Sequence, residues 1–366
     1  MKKQLIKTFT PLLIILIATS LMVFPTNVSG QNSIQNETMD FMKNVITVDV
    51  SKYAITIARD FTLDDPLLSA ANRKISHIDY ALNSENSNTE IQFTIERGAI
   101  TACDISPPST QIISSSKQPN NQLDAVKGFL ERYQTYTKNN LSNLIAMLKD
   151  IDTSKDSTII TGNTKLTIQN SYSWETDQTL FSWSQVINGA EYPAISLVFS
   201  KEGNFIMMRD AQAIYTIGDT SVNISKEQAI DIALENLQFY SYEMPDGSVV
   251  KDFKLSRAGV AAELEVGVVD YVDYELRPYW KIEMYLDEVA PGNVHGIQVF
   301  VWANTGKVIS YSNIAFGGTV YTDDTNLVDT TTTSTPNSNM LIVGVAIVTA
   351  IAVAATGIIA IKKRSK

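Results

Sequence analysis

Cysteine and histidine are almost absent from this chain of 366 residues, which contains one cysteine and two histidines. The single cysteine, Cys103, excludes an intramolecular disulfide, so the fold must be stabilised by its apolar core. The histidines, His77 and His295, do not form the His-Glu-x-x-His pair that a zinc peptidase carries on one helical face. The Gly-x-Ser-x-Gly motif of serine hydrolases is missing as well. The sequence therefore lacks the signatures of the commonest hydrolases.

Charged residues are missing from a segment near the start of the chain. Residues 12–24 are uncharged and mostly apolar, they follow Lys2, Lys3 and Lys7, and the small residues Ser29 and Gly30 come soon after them. This order is typical of a signal peptide, and about 13 apolar residues are too few to span a hydrocarbon core of roughly 30 Å. We expect residues 1–30 to be a signal peptide that is cleaved after Gly30.

Charge is also missing from residues 340–361, and four basic residues follow within 362–366. About 22 residues make a helix of roughly 33 Å, which is long enough to cross a bilayer, and the basic cluster marks the cytoplasmic side. We predict a transmembrane helix at 340–361 and a cytoplasmic tail at 362–366. Residues 321–339 are rich in Thr and Ser and are expected to form an extended stalk. The chain is thus predicted to be a single-pass protein of the cell membrane.

With this orientation, the net charge of the part outside the cell differs from that of the whole chain. The chain has 29 basic and 39 acidic residues, and seven of the basic residues lie in the first 30 residues or the last five. The part predicted to lie outside the cell keeps 22 basic against 39 acidic residues, a net charge of −17. Such an acidic surface repels nucleic acid and anionic lipid headgroups, so we expect neither as a partner.

The external part is predicted to be α+β, with modules in which a helix packs on an antiparallel meander. We divide it into residues 31–118, 119–220 and 221–320, with a linker around 107–109 and 114–121. The first region has a helix near 38–44 and a hairpin turning at Arg97-Gly98. The second has a helix with apolar residues at 123, 126, 130 and 133, followed by strands at 165–170, 180–187, 194–200 and 205–210.

The third region has the clearest pattern. Ser225 and Gln228 form a capping box for a helix to about Leu237, with Ala229, Ala233, Leu237, Ile230 and Leu234 as its apolar stripe. Strands are expected at 249–256 and 260–269. From residue 279 the sequence alternates, with Trp280, Ile282, Met284 and Leu286 predicted on a buried face and Tyr279, Lys281, Glu283 and Tyr285 on a wet one. Phe300 and Trp302 lie on the wet face of the next strand and indicate cover from another module.

Residues 224–234, 279–282, 299–302 and 305–309 together resemble a PepSY domain, a small extracytoplasmic module of one helix on an antiparallel sheet. The resemblance covers residues 223–313, about a quarter of the chain, and residues 119–220 are similar to the same family more loosely. It implies a non-catalytic module whose family holds peptidases in check, and it supplies no catalytic residues. The chain departs from the propeptide form in lacking an attached peptidase. Its layout resembles that of anchored surface proteins of archaea.

Several residue groups have alternative interpretations as sites. Cys103 is expected to be buried in a strand rather than reactive, and His295 to be a loop residue. Asp219-Thr220-Ser221 lacks the glycine of an aspartic-peptidase turn. The acidic groups Asp270, Asp273 and Glu275, and Asp323 with Asp324, lack the spacing of a calcium loop and are expected to be solvated. The aromatic pairs Trp174 with Trp183 and Tyr279 with Trp280 are expected in the core rather than in a ligand groove.

We therefore assign no catalytic, cofactor-binding or metal-binding residue and expect a binding protein rather than an enzyme. Its expected partner is an extracytoplasmic protein or peptide, and the family resemblance points to a peptidase. Two alternatives stay open: an envelope component that acts by self-association, and a hydrolase with an unrecognised site.

Overall fold

The structure, a computed structural model, describes residues 29–63, 73–85, 87–107, 112–116, 119–149, 151–170, 172, 177–269 and 274–315. Residues 1–28 of the predicted signal peptide, and the predicted stalk, membrane helix and tail, lie outside these ranges. Within them, none of the helices has the length and apolar character needed to cross a membrane.

The described residues form a mixed α+β structure with few helices, as the sequence predicts for the class. The helices are α1 (Ser29–Phe41), continued by a π-helical turn (Met42–Ile46) and a 3₁₀ turn (Val50–Lys52), then α2 (Gln122–Thr137), α3 (Ser142–Ala146) and α4 (Lys226–Leu237). The strands are β1 (Ala54–Thr62), β2 (Ile75–Asn83), β3 (Asn88–Glu96), β4 (Ala99–Ser106), β5 (Ser157–Thr161), β6 (Thr164–Asn170), β7 (Gln178–Ile187), β8 (Ala190–Ser200), β9 (Phe205–Asp210), β10 (Thr216–Ile217), β11 (Tyr242–Glu243), β12 (Val249–Val250), β13 (Leu255–Val268), β14 (Glu275–Ala290), β15 (Val294–Trp302) and β16 (Val308–Ala315).

Strands β1 to β9 form one antiparallel sheet in the order β1-β2-β3-β4-β9-β8-β7-β6-β5. It consists of two meanders, each preceded by helical segments, that meet through their last strands. The seam between β4 and β9 is short: Ala102, Cys103 and Asp104 pair with Arg209, Met208 and Met207. An ion pair, Arg209 Nη2 to Asp104 Oδ1 at 2.7 Å, crosses the same seam.

A row of apolar side chains runs through this seam in register. Its members, in spatial order from β2 to β6, are Ile78, Phe93, Cys103, Met208, Leu197, Phe181 and Ile168. Each of these side chains is at most 1 % exposed. Because side chains in a strand alternate between faces, a slip of one residue at the seam would move half of this row to the other face of the sheet.

Helices α1 and α2 pack on the face that carries this row. Phe41 of α1 contacts Phe93 of β3 and Tyr133 of α2 in edge-to-face geometry, with ring centroids 5.8 and 6.0 Å apart. All three side chains belong to one apolar core that also contains Phe129 and Trp183. The core therefore includes residues from both meanders.

Residues on both sides of the predicted boundary at 118/119 contribute to this core. Strands from 31–118 and from 119–220 lie in one sheet, and their apolar side chains belong to one cluster. The predicted linker is also partly structured, because Ser114 forms a β-bridge with Val48 and the amide of Ser115 donates to the carbonyl of Thr47 at 2.8 Å. Strands β1, β2 and β5 come in addition to the predicted ones.

A second sheet is formed by β13, β14, β15, β16 and the short β10, which pairs in parallel with β14. Helix α4 packs on one face of it, with Ala229, Ala233 and Leu237 against Ile282 and Val299. The predicted capping box of Ser225 and Gln228 is present. Trp280 Nε1 donates to the carbonyl of Ile224 at 2.8 Å, which fixes the start of α4 on β14.

Three details of this region differ from the prediction. Leu234 is 39 % exposed, so the buried stripe of α4 is narrower than expected. The predicted strand at 249–256 is divided between β12 and the start of β13, because Asp252 has a φ of 61°, in the left-handed region that interrupts a strand.

The third difference is Tyr279, which was placed on the wet face but is 1 % exposed. Its ring covers Gly267 of β13, where a Cβ atom would lie 2.7 Å from Tyr279 Cε1. Phe300 and Trp302 pack against it with ring centroids 5.8 and 6.2 Å away. These rings therefore cover one another on this face, while Lys281 beside them binds Glu265 at 2.6 Å.

The two sheets contact each other through the β7–β8 hairpin. Ala190 and Tyr192 of β8 and Leu276 of β14 are buried together in a small apolar cluster that also involves Leu264 of β13. At the hairpin turn, Asn188 Nδ2 donates to the carbonyl of Thr220 at 2.9 Å. This turn lies on the face of the second sheet that also carries α4.

We expect substitutions at the seam between β4 and β9 to reduce the stability of the fold strongly. Met208→Ala removes a fully buried side chain from the centre of the row and should lower the free energy of unfolding by about 2–5 kcal/mol, since the surrounding sheet can fill the cavity only in part. Met244→Ala, in the partly exposed turn between β11 and β12, is the matched control and should cost less than about 1 kcal/mol. Urea unfolding followed by tryptophan fluorescence measures both, and equal losses would contradict the central role of the seam.

Candidate functional site

A concave site lies beside the first turns of α2, and we call it the α2 cleft. It has a volume of about 530 Å³. Its lining residues are Ile46, Thr47, Ile105, Ile112, Ser114, Ser116, Pro119, Asn120, Asp124, Ala125, Phe129, Arg132, Phe199, Gly203, Asn204 and Phe205. They come from five separate parts of the chain.

One wall of the cleft is a segment that is held against the end of the π-helical turn. The amide of Asp49 donates to the carbonyl of Ile113 at 2.8 Å, next to the bridge between Val48 and Ser114. The hydroxyl of Thr47 lies 2.9 Å from that of Ser114 and 3.0 Å from that of Ser116. Three hydroxyl groups therefore form a compact polar rim.

The opposite wall is the start of α2, whose position is fixed by two polar side chains. Asn121 caps the helix by accepting from the amide of Asp124 at 2.9 Å. Gln122 Nε2 donates to the carbonyl of Ser200 at 2.9 Å and so ties the helix to the end of β8. Gly203, with φ of +86°, lets the β8–β9 turn approach Ala125, because a Cβ atom there would lie 3.1 Å from Ala125 Cβ.

The floor of the cleft is aromatic. Phe129 of α2 is stacked on Phe205 of β9 with a centroid distance of 4.9 Å and an interplanar angle of 8°. Phe199 of β8 meets both rings edge-to-face, at 6.1 and 5.6 Å. Each of the three side chains also contributes to the main core, so the floor is rigidly supported.

Arg132 lies at the edge of this floor. Its Nε donates to the carbonyl of Val45 at 2.8 Å, which closes the π-helical turn against α2. Burial lowers the pKa of the guanidinium, but a group with so high an ordinary pKa stays charged. Among the described residues its Nη1 and Nη2 atoms make no hydrogen bond or ion pair, and the side chain is part of the lining of the cleft.

The chemistry of the cleft is that of binding. Phe205, the most exposed of the three rings at 9 %, can contact an apolar group, the hydroxyl rim can donate to or accept from a peptide backbone, and Arg132 can bind a carboxylate. On the other wall, Asp124 Oδ2 already accepts from Asn120 and Asn121 at 3.0 and 3.3 Å, so its carboxylate is held in place. An extended peptide segment with one apolar side chain matches this combination.

The residues that the sequence offers as candidate site residues lie outside this cleft. Cys103 is fully buried in β4, and burial raises the pKa of its thiol well above the ordinary range. His77 on β2 is stacked on Phe61 at 5.0 Å, and burial lowers the pKa of its imidazole. His295 is in β15 with Nε2 3.1 Å from Asn293 Oδ1, not in a loop.

The aromatic and acidic candidates have structural contacts. Trp183 is buried and stacked on Phe181 at 6.4 Å, and Tyr279 and Trp280 lie on opposite faces of β14. Glu275 pairs with Arg277 at 2.5 Å. The carboxylate of Asp219 accepts from Asn304 Nδ2 at 2.8 Å and from the amide of Ser221 at 3.0 Å, which lowers its pKa to about 2. Asp270, Asp273, Asp323, Asp324 and Trp174 lie outside the described residues.

Across the ranges that the structure describes, no group of three or more His, Cys, Asp and Glu residues is arranged to hold a metal ion. The α2 cleft has no signature in the sequence. Ser114 and Ser116 belong to a predicted linker, Thr47 lies outside that linker, and Arg132 is on the polar side of a predicted helix, so only the three-dimensional contact between them forms a site.

Comparison with known proteins gives little further information. No family model matches the chain, and no curated protein matches it. Among solved structures, the chain is similar to the C-terminal domain of Bacillus megaterium YpeB, at 13 % sequence identity and a TM-score of 0.29, over 76 % of this chain and 96 % of that one. A TM-score of this size is too low to relate the two folds.

Because Cys103 is buried, we expect its thiol to react slowly with alkylating reagents in the native protein. In the native protein a maleimide reagent should label it at least about 100-fold more slowly than in the urea-unfolded chain, because only opened molecules expose the thiol. Ile160→Cys, at a position on edge strand β5 that is 64 % exposed, is the control and should label at once. Native labelling of Cys103 at a rate near that of the control would show that the seam is open in solution.

Proposed function

We propose that this chain is a non-catalytic, PepSY-like binding protein that is anchored outside the cell by a C-terminal helix and takes a peptide segment of another protein into the α2 cleft. The observation that carries the proposal is the combination in one cleft of a phenylalanine floor, a rim of three hydroxyl groups and the guanidinium of Arg132. Rigid apolar surface together with a few fixed polar groups is typical of a binding site.

The partner is proposed to be an extracytoplasmic protein, and the PepSY resemblance favours a secreted peptidase that the chain restrains. Supporting this direction, the predicted external part has a net charge of −17, which favours association with a neutral or basic surface. Cys103 and His77 do not support a nucleophilic site, since they lie on different strands, the thiol is buried and the imidazole is stacked on Phe61.

The direct test is photo-crosslinking from the rim of the cleft. A benzoyl-phenylalanine residue is placed at Ser116 in the full-length chain, displayed on its own cells, and the adducts are identified by mass spectrometry. We expect an adduct with a second protein from Ser116 and none from the same group at Ile160, which is exposed on the distant edge strand β5. A peptidase in the adduct supports the inhibitory role.

Two results would overturn the proposal. Adducts that contain only a second copy of this chain favour the alternative of an envelope component that acts by self-association. Equal adducts from Ser116 and Ile160 show that the cleft is not where partners bind.

Affinity for the captured partner then tests the cleft itself. Ser116→Trp places a bulky side chain at the mouth and should raise Kd at least about tenfold, which corresponds to about 1.4 kcal/mol. Ser115→Trp is the matched control, because Ser115 is exposed on the same segment but does not line the cleft, and it should leave Kd unchanged. An equal effect of both substitutions would point to a disturbed segment rather than a blocked site.

A further inference from the structure

Exposed apolar side chains are concentrated at one end of the second sheet. Phe239 is 80 %, Val249 60 % and Val289 56 % exposed, which makes them three of the most exposed large apolar residues that the structure describes. Single exposed apolar residues are common, but a group of such residues on segments that meet at one end of a fold marks an interaction surface.

Hydrogen bonds and ring contacts show that the segments carrying these residues are neighbours. The hydroxyl of Tyr242 in β11 donates to the carbonyl of Pro291 in the β14–β15 turn at 2.6 Å. Tyr240, which follows α4, is stacked on Tyr311 of β16 at 4.8 Å and donates to Asn313 at 2.9 Å. The residues after α4, the β11–β12 hairpin and the β14–β15 turn therefore form one end of the molecule, which we call the exit end.

The chain also leaves the described fold at this end. The last residue of β16, Ala315, pairs with Val294 directly after the β14–β15 turn. Residues 316–339 then lead to the predicted membrane helix at 340–361. Even fully extended, 24 residues cannot reach further than about 80 Å, so the exit end is the part of the described fold that is tied to the predicted helix by the shortest stretch of chain.

We propose that the exit end rests on the outer surface of the bilayer that holds residues 340–361, with Phe239, Val249 and Val289 in contact with the lipid interface. This inference depends on the proposed membrane anchor and goes beyond it, since an anchor alone leaves the external part free to face in any direction. The anchor holds the exit end at a high effective concentration near the lipid, so a weak apolar contact is enough to orient the protein.

The charges at the exit end define which lipid surface fits. Acidic residues outnumber basic ones there, with Glu243, Asp246, Asp252, Asp287 and Glu288 against Lys251 and Lys254. Anionic headgroups would repel this end, whereas zwitterionic headgroups admit the apolar side chains without a charge penalty. The occupant is therefore a neutral, zwitterionic bilayer surface.

The test uses the full-length chain in nanodiscs of phosphatidylcholine, one chain to each disc. A nitrobenzoxadiazole dye is attached at Val289→Cys, and buried Cys103 stays unlabelled. Because interfacial side chains lie about 5–10 Å deep among the headgroups, nitroxide-labelled lipid should quench this dye at least about twofold more than the same dye at Ile160→Cys, which is slightly more exposed but lies in the first sheet.

A second variant confirms which side chains make the contact. Phe239→Asp with Val249→Asp, added to Val289→Cys, should reduce quenching to the level at Ile160→Cys; both positions are highly exposed, so the fold should persist. Equal quenching at 289 and 160 in assembled discs would overturn the docking proposal while leaving the anchor intact. Absence of the chain from the disc fraction would overturn both the anchor and the docking proposal.

Discussion

The seam between β4 and β9 is the constraint on which the first sheet depends. At this seam three residue pairs join two meanders that are far apart in the sequence. The row of buried side chains from Ile78 to Ile168 crosses the seam without a break. Because the side chains of the row must all face α1 and α2, the register at Cys103 and Met208 sets the register of both meanders. The α2 cleft depends on the same arrangement, since its floor combines Phe129 of the helix with Phe199 and Phe205 from strands next to the seam.

Strong local signals in the sequence predicted individual elements well. The capping box at Ser225, the alternation after residue 279 and the turn at Arg97-Gly98 all correspond to observed features, because each depends on neighbours in sequence. The seam was not predicted, since Cys103 and Met208 are more than 100 residues apart and no local pattern specifies which strand pairs with β4. Tyr279 was misplaced for a related reason: its burial depends on Gly267 in another strand. The α2 cleft combines residues from five segments of the chain, and for that reason no local sequence pattern predicts it.

The two proposed surfaces lie on different sheets and have different chemistry. The α2 cleft is concave, has a polar rim and is built around fixed side chains, whereas the exit end combines exposed apolar side chains with acidic ones. The β7–β8 hairpin links them structurally, because Ala190 and Tyr192 belong to the first sheet and pack against Leu276 of the second. If the exit end faces lipid, this contact carries the cleft above the bilayer, where a soluble partner can reach it.

The strand order of the first sheet also has a consequence for synthesis. A chain emerges with its N-terminus first, so β1 to β4 can pair while β9 has not yet been made. During that interval β4 is an edge strand with Ile100, Cys103 and Ile105 on it, and an unpaired apolar edge is a template for association with other chains. About 100 further residues must be added before β9 can cover that edge. Newly made chains therefore pass through a period in which they can aggregate through β4 unless they are kept apart from one another.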